Sequence, residues 1–153
     1  MSWNARGVGC HDTNNKLYEL QNYVNNNEIH FVCIQETNFK SKSKQVQLKG
    51  YQEPVRSVEG KKASATGLAI YVKLGIPFTE IKINQDCPIE SCAITLYLDK
   101  NLSFRIQCVY AQSEENTLKN YSNFFQSLDH RQNNIIVGNF NLKHPCWNPE
   151  GDP

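Results

Sequence analysis

Four residues that can do chemistry stand at the ends of strand-forming stretches, and a fifth lies within one. Glu36 closes an apolar run at 29–35, Tyr110 ends another at 103–110, and Asn139 and Asn141 directly follow a third at 134–138. Asn4 lies in a short opening stretch at 2–6. Strand ends and the loops beyond them are where a rigid sheet converges side chains on a ligand. Singly, each residue has an ordinary explanation. A glutamate at a strand end is solvated, a tyrosine there packs, and an asparagine after a strand makes a turn. Together they supply an acid, a phenol and three amides, a donor set that fits a hard divalent cation handling phosphate.

The elements that must position them follow from hydrophobic spacing. Asp12 or Thr13 can cap a helix carrying Leu17, Leu20 and Val24 at helical spacing, and the asparagine run 25–27 stops it. Residues 29–35 are compact, apolar and rich in β-formers, the mark of a buried strand. Residues 37–49 are polar and basic and predict a loop. Its alternating Lys40, Lys42 and Lys44 form either a solvated edge or a phosphate-contacting segment. A strand is expected at 51–58, demoted to an edge by Pro54. A loop at 59–65 precedes strong strands at 67–73 and 78–83. Residues 91–98 alternate, with Ile94, Leu96 and Leu98 on one face. Asp99-Lys100-Asn101 makes a turn, and 103–110 returns as the second arm of a hairpin. Ser113 caps a helix with Glu114 and Glu115 in its first turn. Its stripe of Leu118, Tyr121, Phe125 and Leu128 reads as core. The tail 139–153 carries Pro145, Pro149 and Pro153 and reads as loop. Two helices among eight strands, with hairpins, predict packed sheets flanked by helices rather than a doubly wound sheet.

Composition bounds the function classes. The chain of 153 residues, 39% hydrophobic and 20% charged, suits one globular domain over 1–153. A net charge of +1 gives no global basic footprint, so any DNA contact must come from a local patch. The six cysteines form no CxxC pair. Cys33 and Cys108 sit in apolar runs, which predicts buried free thiols in a reducing compartment, and no ligand spacing supports zinc. No secretory leader opens the sequence and no apolar run approaches the ~18 residues a membrane span requires. The expected location is nuclear or cytoplasmic, away from membranes, and no protein partner is inferable. The sequons at Asn101 and Asn120 are then chance matches.

Five segments in order carry a resemblance. Trp3-Asn4-Ala5-Arg6-Gly7, Ile34-Gln35-Glu36-Thr37, Gly67-Leu68-Ala69-Ile70-Tyr71-Val72, Val109-Tyr110-Ala111 and Val137-Gly138-Asn139-Phe140-Asn141 resemble the endonuclease/exonuclease/phosphatase superfamily. Asn141-Leu142-Lys143-His144-Pro145 with Trp147 resembles the apurinic-endonuclease-like domain of jockey-like non-long-terminal-repeat retrotransposons. The resemblance implies a four-layer α/β sandwich of two facing sheets, and hydrolysis of phosphate esters with Mg2+ or Mn2+. In the retrotransposon branch it implies nicking of DNA, the freed 3′-hydroxyl priming reverse transcription. It makes Glu36 the metal-binding glutamate and Asn4 the amide supporting the metal and phosphate. Tyr110 becomes the hydrogen-bond partner of the scissile phosphate, and Asn141 helps hold that phosphate for attack. Arg6, Lys143 and His144 are candidate nucleic-acid contacts, with His144 either structural or DNA-facing.

Asn139 departs from the family pattern, which has aspartate there to orient or deprotonate the attacking water. An amide cannot take that proton, and loss of a positioned base costs ~10²–10⁴-fold in rate. The family's later aspartates and its aspartate-histidine pair have no counterpart after Trp147. His11, His30, His130 and His144 do not match that histidine. The sandwich is accordingly expected to be incomplete at the C-terminus. The expected function is a metal-dependent DNA phosphodiesterase, poor or inactive in this copy. The alternatives are a non-catalytic retrotransposon remnant with weak nucleic-acid binding, or a phosphatase or exonuclease of the same superfamily.

Overall fold

The computed structural model describes residues 1–8, 14–39, 47–57, 67–83, 89–111, 118–130 and 132–141. In chain order the elements are β1 (Ser2–Asn4), α1 (Asn14–Asn26), β2 (Phe31–Gln35), β3 (Val55–Arg56), β4 (Leu68–Val72), β5 (Phe78–Ile81), β6 (Glu90–Asp99), β7 (Leu102–Tyr110), α2 (Leu118–Gln126) and β8 (Asn133–Asn139). They build two four-stranded sheets of order β1-β2-β4-β3 and β5-β6-β7-β8. β1 runs parallel to β2, and β8 parallel to β7, while the remaining pairs are antiparallel.

Alternation along the strands sorts side chains into layers. Cys33, Leu68, Ile70 and Val72 face Cys92, Ile94, Leu96, Ile106 and Cys108 across the gap between the sheets, forming the central core. On the outer side of the first sheet, Val32, Ile34, Ala69 and Tyr71 pack beneath Leu20 and Val24 of α1. On the outer side of the second, Val109 and Ala111 meet Tyr121, Phe124 and Leu128. The result is helix, sheet, sheet, helix: the expected four-layer α/β sandwich. Cys33, Cys92 and Cys108 are buried free thiols in the central core, and Cys108 Sγ accepts Gln35 Nε2 at 3.2 Å.

Several elements differ in detail from the sequence expectation. β1 stops at Asn4 because Arg6 is left-handed, with φ 47°. The strand expected over 51–58 shrinks to Val55–Arg56 plus an isolated bridge between Tyr51 and Lys73. It occupies the edge that Pro54, lacking an N–H, favours. On α2 the core position belongs to Phe124, 1% exposed, and not to Phe125, 42% exposed. Both positions lie within one turn of Tyr121. The orientation in which Phe124 fills the core leaves Phe125 stacking on Phe140 at 6.5 Å, so tertiary packing decides between them. β8 extends through Asn139, which the sequence reading placed in the tail. The first-helix cap at Asp12 or Thr13, the segment 113–117, the 40–46 lysines and the tail beyond Asn141 lie outside the described residues, as do Cys10, Cys87 and Cys146.

Two glycines permit close approaches that seat the strand ends. A Cβ on Gly138 (φ 148°) would lie 1.9 Å from the Val109 carbonyl oxygen, so only glycine lets β8 close on β7 just before Asn139. A Cβ on Gly67 (φ 77°) would lie 2.6 Å from Thr37 Oγ1, directly after Glu36.

Candidate active site

The parallel pairing of β1 with β2 continues beyond both strands as a main-chain zipper. Ala5 N donates to Gln35 O at 2.9 Å, Gly7 N to Glu36 O at 2.7 Å and Val8 N to Thr37 O at 3.0 Å. Arg6 and Glu36 both take left-handed conformations, φ 47° and 55°. The two turns therefore bend together, and Asn4 Nδ2 donates to Glu36 Oε1 at 2.7 Å. Arg6 N donates back to Asn4 Oδ1 at 3.3 Å, which fixes the amide's orientation. Arg6 itself is exposed.

The other sheet contributes the second half. Tyr110 and Asn139 are register partners on parallel strands, and Ala111 N donates to Asn139 O at 3.0 Å. Asn139 Oδ1 accepts Asn141 N at 2.9 Å, an Asx-type turn that sets Asn141 at φ 46°. Asn141 Nδ2 in turn donates to Ala111 O at 2.6 Å. The Tyr110 hydroxyl donates to Glu36 and accepts from Asn141, joining the halves. Its pKa is raised, first by burial and then by the Glu36 charge and hydrogen bond, so the phenol stays protonated as a donor.

Asn4, Glu36, Tyr110, Asn139 and Asn141 thus gather at one end of the gap between the sheets. Arg6 enters through its backbone. Lys143 and His144 lie outside the described residues. Among the described residues, three of the four non-glycine residues with positive φ, Arg6, Glu36 and Asn141, belong to this cluster, and the fourth, Asn38, follows two residues after Glu36. Such conformations cost on the order of 1–3 kcal/mol each and persist where surrounding structure enforces them, commonly at functional sites.

Sequence reasoning missed three neighbours. Glu90 is the register partner of Tyr110 on β6, and its carboxylate accepts Ser57 Oγ at 2.6 Å. Burial pushes its pKa up, offset in part by the Ser57 hydrogen bond. The signal was present: Glu90 is in phase with the inward-facing Cys92, Ile94 and Leu96. Ser57 links this carboxylate to the first sheet by accepting Leu68 N at 2.9 Å. The third is Lys16, whose ammonium contacts the turn following Asn4.

The cluster presents a carboxylate with lone pairs to spare, ringed by amide and phenol donors at a rim between two sheets. That arrangement suits a cation and an anionic ester meeting at one point. Fold and site together define a two-sheet α/β sandwich with a polar centre at its strand ends. The sequence matches the family model described as Endonuclease/Exonuclease/phosphatase family over residues 1–152, and the chain belongs to that family.

Solved structures share the fold at low identity. D. rerio TDP2 complexed with single strand DNA product is 14% identical with a TM-score of 0.65, over 99% of this chain and 64% of that one. An endonuclease/exonuclease/phosphatase family protein from Leptotrichia buccalis is 12% identical with a TM-score of 0.62, over 92% of this chain and 65% of that one. The Xenopus laevis APE2 catalytic domain is 15% identical with a TM-score of 0.56, over 94% and 59% respectively. This chain therefore spans just under two thirds of the length of these relatives. No curated protein matches the sequence.

Proposed function

We propose that the chain carries a divalent-cation-dependent phosphodiesterase site for DNA, impaired by Asn139. The observation that carries this reading is the convergence of Asn4, Glu36, Tyr110 and Asn141 from the ends of β1, β2, β7 and β8: Asn4 bonds to Glu36, and the Tyr110 hydroxyl meets both Glu36 and Asn141. The fold relatives include proteins whose descriptions name DNA or apurinic-endonuclease activity, which supports DNA as the ester.

Among the described residues no group of three or more His, Cys, Asp and Glu side chains is placed to hold a metal ion. The donors nonetheless suit Mg2+ or Mn2+. Magnesium commonly takes one or two carboxylates and completes its shell with water and substrate phosphate. Glu36 would hold the ion, with Asn4 fixing the carboxylate. A bound ion supplies charge neutralisation at the phosphate oxygens. Asn141 Nδ2 and the Tyr110 hydroxyl, turned from their present acceptors at Ala111 O and Glu36, would be the donors for those oxygens, acting where negative charge grows in the transition state. Arg6, Lys143 and His144 are the proposed contacts to the nucleic-acid backbone.

Asn139 is the weak point. Its Oδ1 is engaged by Asn141 N, and its amide nitrogen accepts no proton. The ancestral role we assign is the DNA-nicking domain of a jockey-like retrotransposon, supported by Lys143-His144-Pro145 and Trp147. Asn139 favours the second reading, a non-catalytic descendant that retains the cation and phosphate pocket. No described helix is long and apolar enough to cross a membrane.

Nicking of supercoiled plasmid with Mg2+ or Mn2+, beside a Glu36→Ala control, tests the reading. Slow, Glu36-dependent nicking supports it. A folded chain that neither nicks nor binds Mn2+ rejects the cation site. Mn2+ binding without nicking selects the non-catalytic descendant.

A further inference from the structure

Lys16 stands third in α1, within its first turn, where the positive end of the helix macrodipole disfavours a cation. No acidic residue shares that turn to offset it. What its ammonium meets instead is a set of main-chain oxygens: Ala5 O at 2.9 Å, Arg6 O at 3.2 Å and, at the limit of contact, Gly7 O at 3.5 Å. Three carbonyl dipoles turned toward one point repel one another unless a positive charge lies between them.

These carbonyls belong to the turn that aims Asn4. Arg6 sits left-handed at its centre, and its N–H holds Asn4 Oδ1. The rotated amide then presents Nδ2 to Glu36 Oε1. We propose that Lys16 is the positioning residue of the site. It is a covalently tethered cation that holds the Ala5–Arg6–Gly7 turn in its left-handed form, and through it the Asn4 amide and the Glu36 carboxylate. The role of the site rests on the phosphodiesterase reading above; the geometry of the Lys16 clamp does not.

The test compares Lys16→Met with Gln21→Ala. Gln21 lies on the same helix, exchanges hydrogen bonds with Lys49 N and O, and is remote from Asn4, so its loss reports destabilisation alone. Two quantities are read on folded protein: the Asn4 side-chain amide resonances by NMR, and Mn2+ affinity by calorimetry. In Lys16→Met the Asn4 amide should shift and exchange faster with water. The Mn2+ dissociation constant should rise about tenfold, the scale of losing a residue that orients a ligand. Gln21→Ala should move neither.

An unchanged Asn4 amide in Lys16→Met overturns the proposal, whatever happens to the melting temperature. If the unsubstituted chain binds no Mn2+, the cation reading fails, and the Asn4 resonances alone decide the clamp. Should Lys16→Met fail to fold, Lys16→Gln is read in the same way, since its shorter stem cannot reach all three carbonyls.

Discussion

The Tyr110 hydroxyl donates to the Glu36 carboxylate, and the two residues belong to different sheets. The bond crosses the gap at its polar end, where the apolar contacts of the central core give way to the cluster. Tyr110→Phe keeps the ring packed and removes this bond together with the weaker one accepted from the neutral Asn141 amide. Hydrogen bonds to charged groups contribute about 1.5–3 kcal/mol, and a half-buried one falls at the lower end. Urea denaturation should show a loss of about 1–2 kcal/mol at unchanged m. An unchanged midpoint would mean the cross-sheet bond contributes nothing to holding the sheets together.

Asn139→Asp should raise nicking activity by ~10²-fold or more, the scale of a positioned general base. One carboxylate oxygen can keep accepting Asn141 N, so the turn survives, while the other becomes free to take a proton. Equal rates for the two forms would remove the assignment of the defect to position 139.

Glu90 makes folding stability depend on pH. Burial raises its pKa in the folded chain, so the native state binds its proton more tightly than the unfolded state does. Its contribution is therefore fully present below the ordinary glutamate value of about 4.3 and is lost as pH rises through the raised one. Glu90→Gln should flatten that part of the profile while its amide oxygen still accepts Ser57 Oγ. Urea midpoints across acid and neutral pH provide the check. An identical slope in variant and parent would place the titration elsewhere.

Gly138→Ala should be far more damaging than an alanine in an ordinary strand. The new Cβ would sit 1.9 Å from a backbone oxygen that cannot move without breaking the β7–β8 ladder. A loss above about 3 kcal/mol, or no cooperative unfolding by circular dichroism, is expected. A near-normal melt would show that β8 can shift away from β7 at little cost.

The layers were legible because period-2 alternation is a strong signal. Leu68 to Val72 and Cys92 to Leu96 reveal buried strands by composition alone, and four site residues announced themselves by standing where such runs end. Long-range choices were not legible. Phe124 and Phe125 offer the same helical arc, and only the second sheet decides which is buried. Arg6 and Glu36 are not residues that invite a left-handed conformation, which arises from the zipper joining β1 to the end of β2. Lys16 was hidden for a related reason: its partners are carbonyls, which carry no side-chain signature in a sequence.

The three thiols of the central core have a use for the experimenter. Cys33 and Cys108 are fully shielded and Cys92 is 3% exposed, so an alkylating reagent reaches them only in chains whose sheets have parted. Their labelling rate therefore measures how often the sandwich opens. With intact protein, mass spectrometry of modified Cys33, Cys92 and Cys108 peptides becomes a stopwatch for that opening. It runs independently of whether the polar centre at the rim still turns over a substrate.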